Sequence, residues 1–279
     1  MLSNLRRFII ILVLFFLIVN FSYRIDLKKS PHTLVGELMY FPSGNAVRAL
    51  SIGFYASLAD LVWLRFVQYY GEHRLTDARF DLMYHVLDIL TTLDPNFTHA
   101  YTLGSLMLTT DAKRPDLALQ LLKKGIAAYP DQWRMPFFYG FINYVFLRNY
   151  RVAVAYFRLS TQKPDAPDIT WRWAGYVLLK RLGDLKTALV LWTEFSNNSK
   201  NPEEKAIAQM YIEETTMLLD IEFLNNKIKD FKDKLGRPPF NLSELVVYGM
   251  VDSIPNEPHG KTYIMRRGEA YSTWQTGKK

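Results

Sequence analysis

The chain has 279 residues, of which 49% are hydrophobic and 15% aromatic, enough for a substantial core and too apolar for wholesale disorder. The formal net charge is +7, but Lys227, Lys229, Lys232 and Lys234 alternate with Asp230 and Asp233 as on a solvated helix face, so no uncompensated basic stripe for nucleic acid is expected. With no cysteine, disulfides, zinc–thiolate sites, iron–sulfur clusters and cysteine nucleophiles are all excluded.

After Arg6 and Arg7 the chain is uncharged from Phe8 to Tyr23. At about 1.5 Å per residue such a helix reaches about 24 Å, short of a hydrocarbon core of roughly 30 Å. Snorkelling of Arg24 and its neighbours can cover the deficit. A cleaved signal peptide would begin in the same way, but Asn20, Phe21 and Tyr23 stand where a peptidase needs small side chains. Residues 1–25 are therefore expected to form an uncleaved transmembrane anchor. Arg6 and Arg7 on one side are balanced by Arg24, Lys28 and Lys29 on the other, so charge alone does not orient it. Residues 26–44, with two prolines and two glycines, read as a linker.

From Asn45 to about Leu235 the pattern is helical. Breaks are expected at Gly71, Asp94-Pro95, Asp111 to Pro115, Tyr129-Pro130, Arg148-Asn149, Lys163 to Pro167, Leu182-Gly183 and Asn197 to Pro202. In the apolar stretch between Arg48 and Tyr70, Asp60, Arg65 and Gln68 interrupt greasy surroundings. A buried ion pair and a partner-facing polar anchor are the two readings of them. The breaks are periodic. Pro95, Pro130 and Pro164 are 35 and 34 residues apart, Gly104, Gly140 and Gly175 are 36 and 35, and Ala118, Ala153 and Ala188 are 35 and 35. Leu122, Phe157 and Trp192 keep the same step. Such a period in a helical chain is the signature of stacked helix-turn-helix repeats.

Residues 45–200 resemble the tetratricopeptide repeat family. Trp171, Ala174 and Gly175 match its W-x-x-L-G opening, and Gly183, Asp184, Leu185 and Ala188 match its interhelical G-[ND]-Y-x-x-A. Asn149, Tyr150, Ala153 and Phe157 repeat the second half, while Pro136 departs from the opening Trp. The resemblance implies an α-α superhelix with Gly104, Ala118, Gly140, Ala153, Gly175 and Ala188 in the repeat core. It also implies a concave face read at fixed offsets from the glycines: Thr98, Tyr101, Ser105 and Leu108, then Arg134, Phe137, Phe141 and Tyr144, then Ile169, Arg172, Tyr176 and Leu179. Of these, Tyr101, Arg134, Phe137, Phe141, Tyr144, Arg172 and Tyr176 are the candidate protein-binding residues, aromatics and arginine being the types that dominate hot spots. Alternatively, some of them pack against the helix that follows Pro202, folded back as a cap on the array.

Residues 201–279 read as a long charged helix from Pro202 to Leu235, then a proline- and glycine-rich module with strand-like runs at Thr262 to Arg266 and Ala270 to Trp274. The module resembles the tail of the major pseudopilins of type II secretion. Gly236, Pro239, Leu242 and Leu245 fit the G-x-x-P-x-x-L-x-x-L opening, and Ile254, Pro255, Pro258, Gly260 and Tyr263 fit the signature that follows. Glu257 stands at the signature's Asp and no acidic cluster follows Gly260, so that family's calcium site is not carried over. The resemblance implies a body on the exported, periplasmic side of a bacterial inner membrane, held by a single pass.

No histidine pairs at metal-ligand spacing, and no nucleophile elbow, phosphate loop or dinucleotide fingerprint occurs. The chain is thus expected to be mostly α, with no cofactor, no metal, no catalytic residues and no enzymatic activity. Its expected role is a membrane-tethered scaffold for protein partners in assembly of an envelope system of secretion or pilus type. The alternative is a small-ligand or glycan-handling accessory of an envelope polysaccharide system.

Overall fold

The computed structural model describes residues 12–21, 23–24 and 43–276. Much of the expected anchor (1–11, 22 and 25) and nearly all of the expected linker lie outside the described residues, as does His32. Within the anchor, residues 12–21 and 23–24 are helical with exposed side chains. Among the described residues no helix is long and apolar enough to cross a membrane. Gly44 is not linker: it opens the first helix of the body, because only a hydrogen side chain fits where a Cβ would stand 2.7 Å from Thr92 Cβ.

The chain divides into two compact units, Met1–Arg114 and Pro115–Lys279. In the first, α1 (Gly44–Leu50), α2 (Tyr55–Leu75), α3 (Met83–Leu93) and α4 (Thr98–Thr110) follow one another, with α3 at the centre touching the other three. Met83, Val86, Leu87, Leu90 and Leu93 recur at three- and four-residue steps, the spacing of a helix stripe, and all are buried. Asp94, fixed in an extended conformation ahead of Pro95, ends α3. The break expected at Gly71 does not occur. Phe66, Tyr69 and His73 continue one buried face of α2 past it, and their burial outweighs a glycine cost of about 1 kcal/mol.

The second unit holds α5 (Pro115–Ala128), α6 (Arg134–Val145), α7 (Tyr150–Thr161), α8 (Asp168–Val177), α9 (Leu185–Asn198) and α10 (Pro202–Leu235), each after α5 packed on the one before. Starts and stops follow side-chain chemistry. Asn149, Asp184 and Asn201 accept backbone N–H groups at the starts of α7, α9 and α10, and Pro202 sits at the opening of α10, where a proline loses nothing. Gly236, at φ 73°, terminates α10 in a left-handed conformation. One core gathers Phe157, Ala174, Leu191, Trp192, Phe195 and Ala208, and Tyr211, Ile212 and Leu218 of α10 pack against it.

Beyond α10 come the short α11 (Ser243–Val247), then β1 (Tyr263–Arg266) and β2 (Glu269–Ser272), paired antiparallel with Tyr263 opposite Ser272, and a final turn α12 (Thr273–Thr276). The small two-stranded sheet sits on the far half of α10, around Leu224, Ile228 and Phe231. Asp220 and Asn225 of α10 accept hydrogen bonds from the Tyr263 hydroxyl (2.8 Å) and the Ala270 amide (2.7 Å). The chain is therefore mostly helical with a small C-terminal α+β segment.

Candidate functional site

Gly140 and Gly175 set how closely the helices of the second unit approach. A Cβ on Gly175 would stand 2.5 Å from Trp192 Cε2, and one on Gly140 would stand 2.9 Å from Phe157 and 3.0 Å from the Ala153 carbonyl. In the first unit Gly104 makes the same kind of contact with Leu87, on the helix before it. Ala118, Ala153 and Ala188 are all fully buried.

The close approach at Gly175 sets α8 tightly on α9, and a cleft of about 620 Å³ lies beside it, with α10 as its other side. Tyr144 of α6, Ile169, Arg172, Trp173 and Tyr176 of α8, Trp192 of α9, and Ile207, Met210 and Tyr211 of α10 line it. Trp192 and Tyr211 stack at 4.3 Å, nearly parallel, forming its floor. Arg172 Nε lies 3.5 Å from Glu204 Oε2 on the opposite wall, too far for a good hydrogen bond. Both atoms are buried without a hydrogen-bond partner among the described residues, and so is Trp192 Nε1. Arg172 and Glu204 thus form an ion pair without good hydrogen-bond geometry, and the Trp192 indole N–H stays buried with no hydrogen-bond partner among the described residues, at the cost that an unsatisfied buried donor carries.

At the end of α8 the chain makes a π-helical turn, Leu178–Leu182, closed by Gly183 at φ 64°. The extra residue in this turn carries Arg181 over the rings of Tyr144 and Tyr150, where its Nε donates to the Tyr144 hydroxyl at 3.2 Å. Its neighbour Lys180 pairs with Glu214 of α10. These contacts hold Tyr144 and α10 in place at the edge of the cleft.

The seven candidate binding residues separate. Tyr144, Arg172 and Tyr176 line the cleft. Phe137 and Phe141 pack edge-on against Trp173, at 6.5 and 5.8 Å, and so support it from behind. Arg134 lies over the Trp133 ring and is not part of the lining. Tyr101 belongs to the first unit and is fully buried, its hydroxyl 3.4 Å from the Thr91 carbonyl and its pKa pushed up to about 12 by burial. It therefore cannot touch a partner. Ser105 and Leu108, at the corresponding offsets, are buried as well. Offset reading missed Trp173, Trp192 and the wall supplied by α10. The signal for that wall is the triplet Ile207, Met210, Tyr211 at three- and four-residue spacing just after the charged opening of α10. Asp60, Arg65 and Gln68 form no buried ion pair: all three are exposed, and Arg65 donates to Gln68 on its own helix at 3.2 Å.

In the C-terminal module Glu257 is buried, and both its oxygens are engaged. Oε2 accepts the His259 and Lys261 amides (2.8 and 2.9 Å), while Oε1 accepts the Ser272 hydroxyl (2.8 Å) and lies 3.1 Å from His259 Nδ1. Burial pushes its pKa up, but the Lys261 amide, Ser272 and His259 outweigh it and hold the carboxyl below its ordinary value. The carboxylate is thus the keystone of its loop. Among the described residues no group of three His, Asp or Glu side chains could hold a metal ion. No protein-family model matches the chain, and no curated protein matches it.

Proposed function

We propose that the chain is a membrane-tethered scaffold of the tetratricopeptide-repeat type, whose cleft between α8 and α10 takes an apolar or aromatic segment of a protein partner. Residues 1–25 hold it to the inner membrane in a single pass, with the body on the periplasmic side, and its role lies in the assembly of an envelope machine of secretion or pilus type. The module beyond α10 is pseudopilin-like in this reading. The observation that carries the proposal is the aromatic cleft itself, with the unsatisfied Trp192 indole N–H in its lining and the Arg172–Glu204 ion pair beside it. A peptide backbone brings a carbonyl acceptor to every residue, so an inserted segment offers a partner to the unsatisfied indole N–H. A glycan would need many convergent polar groups, and this lining offers few.

The test is affinity capture of the full-length protein from detergent-solubilised membranes of its host. Met210→Ala removes an exposed lining side chain outside the cores, and Tyr176→Ala removes one at the edge of the second unit's core, so its thermal stability is measured alongside. Each should weaken retention of the captured partner by roughly tenfold, the effect of a single hot-spot residue. Recovery of the bait alone, or of partners insensitive to both variants, contradicts the proposal.

A further inference from the structure

We infer that the turn between α1 and α2, together with the outer face of α2, lies in the headgroup region of the bilayer that anchors the chain. Three large apolar residues crowd this tip and point into solvent: Leu50 is 73% exposed, Ile52 86% and Phe54 73%. The tip is held by hydrogen bonds from the Ser51 amide to Arg48 O and from the Phe54 amide to Ser51 O. Ile52 sits at φ 46°, a left-handed conformation costly for a β-branched side chain, and Gly53 at φ 90° completes the reversal. Strain of this kind, spent to display an isoleucine and a phenylalanine to water, has no use unless something apolar receives them.

The display continues along α2. Phe54, Leu61, Leu64 and Gln68 are spaced by seven, three and four residues, so they share one stripe. It runs opposite the buried face made by Ala59, Val62, Phe66, Tyr69 and His73. Leu61, Leu64 and Val67 are all exposed, so the outer side of α2 sets large apolar side chains among Asp60, Arg65 and Gln68. A helix of that kind in a soluble setting is covered by something.

Chain length and charge point to lipid as the cover, and here the inference rests on the anchor reading above. Only twenty residues separate Tyr23 from Gly44, a tether of at most about 70 Å when fully extended. The tether thus bounds the tip's distance from the bilayer and raises its local concentration there. Between Arg24 and Arg48 the chain carries Arg24, Lys28, Lys29 and Arg48 against Asp26 and Glu37, a cation excess suited to anionic headgroups. Arg65 flanks the stripe in the same sense, and Asp60 is the one acidic group on the outer side between Tyr55 and Gly71. A face seated at the headgroup–acyl boundary enters by roughly 5–10 Å.

A chain without cysteine makes the test direct. Full-length Ile52→Cys, Leu61→Cys, Leu17→Cys and Lys186→Cys variants carry an environment-sensitive fluorophore and are reconstituted into vesicles of phosphatidylcholine and phosphatidylglycerol. Nitroxide lipids spin-labelled near the headgroup or deep in the acyl chain then act as quenchers. The labels at 52 and 61 should shift to the blue and lose more fluorescence to the shallow quencher than to the deep one. The label at 186, on the exposed side of α9, should respond to neither. Quenching at 17 with aqueous spectra at 52 and 61 overturns the inference and leaves the anchor standing. A blue shift at 52 and 61 that no lipid quencher touches also overturns it, because protein then covers the face. Quenching at 52 and 61 without quenching at 17 supports the surface and contradicts the anchor.

Discussion

Two glycines inside helices make opposite demands on a methyl group. On Gly175 the added Cβ meets Trp192, which is rigid, buried and pinned by Tyr211 behind it. On Gly71, mid-way through the last turns of α2, nothing lies within 4 Å of that position. Gly175→Ala should therefore destabilise by about 1–3 kcal/mol through overpacking, despite its better helix propensity. Gly71→Ala should stabilise by about 0.5–1 kcal/mol. Urea midpoints of the two variants check both signs. Glu257 adds a pH dependence of known direction. Its carboxyl is held below the ordinary glutamate value, so its contribution is complete above that value and is lost as pH falls through the lower, folded one. Glu257→Gln should cost about 1–3 kcal/mol at pH 7 by leaving amides poorly matched, and should flatten the acid limb of a stability–pH curve. An acid limb unchanged by the substitution contradicts the keystone role.

At the scale of elements, α10 is the member on which two cores depend. Its first half packs on α9 through Ala208, Tyr211 and Ile212, and its second half carries the hairpin through Leu224, Ile228 and Phe231. Glu222 is exposed between these halves, so Glu222→Pro breaks the helix without emptying either core, at a cost of about 3 kcal/mol. Amides of Tyr263–Ser272 should then exchange far faster, while those of α7 keep most of their protection. Equal loss in both places contradicts the view of α10 as a spine serving two separable cores. The bounds of α10 were legible in advance because proline opens it and a left-handed glycine closes it, each with a local physical reason. The continuation of α2 through Gly71 was not legible. Local propensity sees a glycine, whereas the helix is kept by tertiary burial of Phe66, Tyr69 and His73. The hairpin strands were readable from alternation, but Trp274 was not: it belongs to the closing turn and lies against His259, 4.0 Å between ring centres.

For the molecule as a whole, sequence offsets brought out four of the nine lining residues, Ile169 among them. Tyr144, Arg172 and Tyr176 stand at fixed steps from Gly140 and Gly175, and helix geometry alone carries them to one side. Tyr101 failed because the same offset, applied to α4, points into the core of the first unit and not outward. The wall from α10 lies beyond any offset, but it matches the alternative left open in the sequence: the helix that follows Pro202, next after α9, lies against Trp192 and pairs Glu204 with Arg172. The aromatic cleft belongs to the second unit and the exposed apolar turn to the first. On the two proposals made above, the cleft takes a protein segment and the turn meets the bilayer. The most direct measurement on that account is photocrosslinking in intact host cells from benzoylphenylalanine placed at Met210, in the cleft, and at Lys186, away from it. The account predicts a discrete protein adduct at 210 that Tyr176→Ala diminishes, and none at 186. Adducts of equal yield at both positions, or lipid adducts alone at 210, would contradict it.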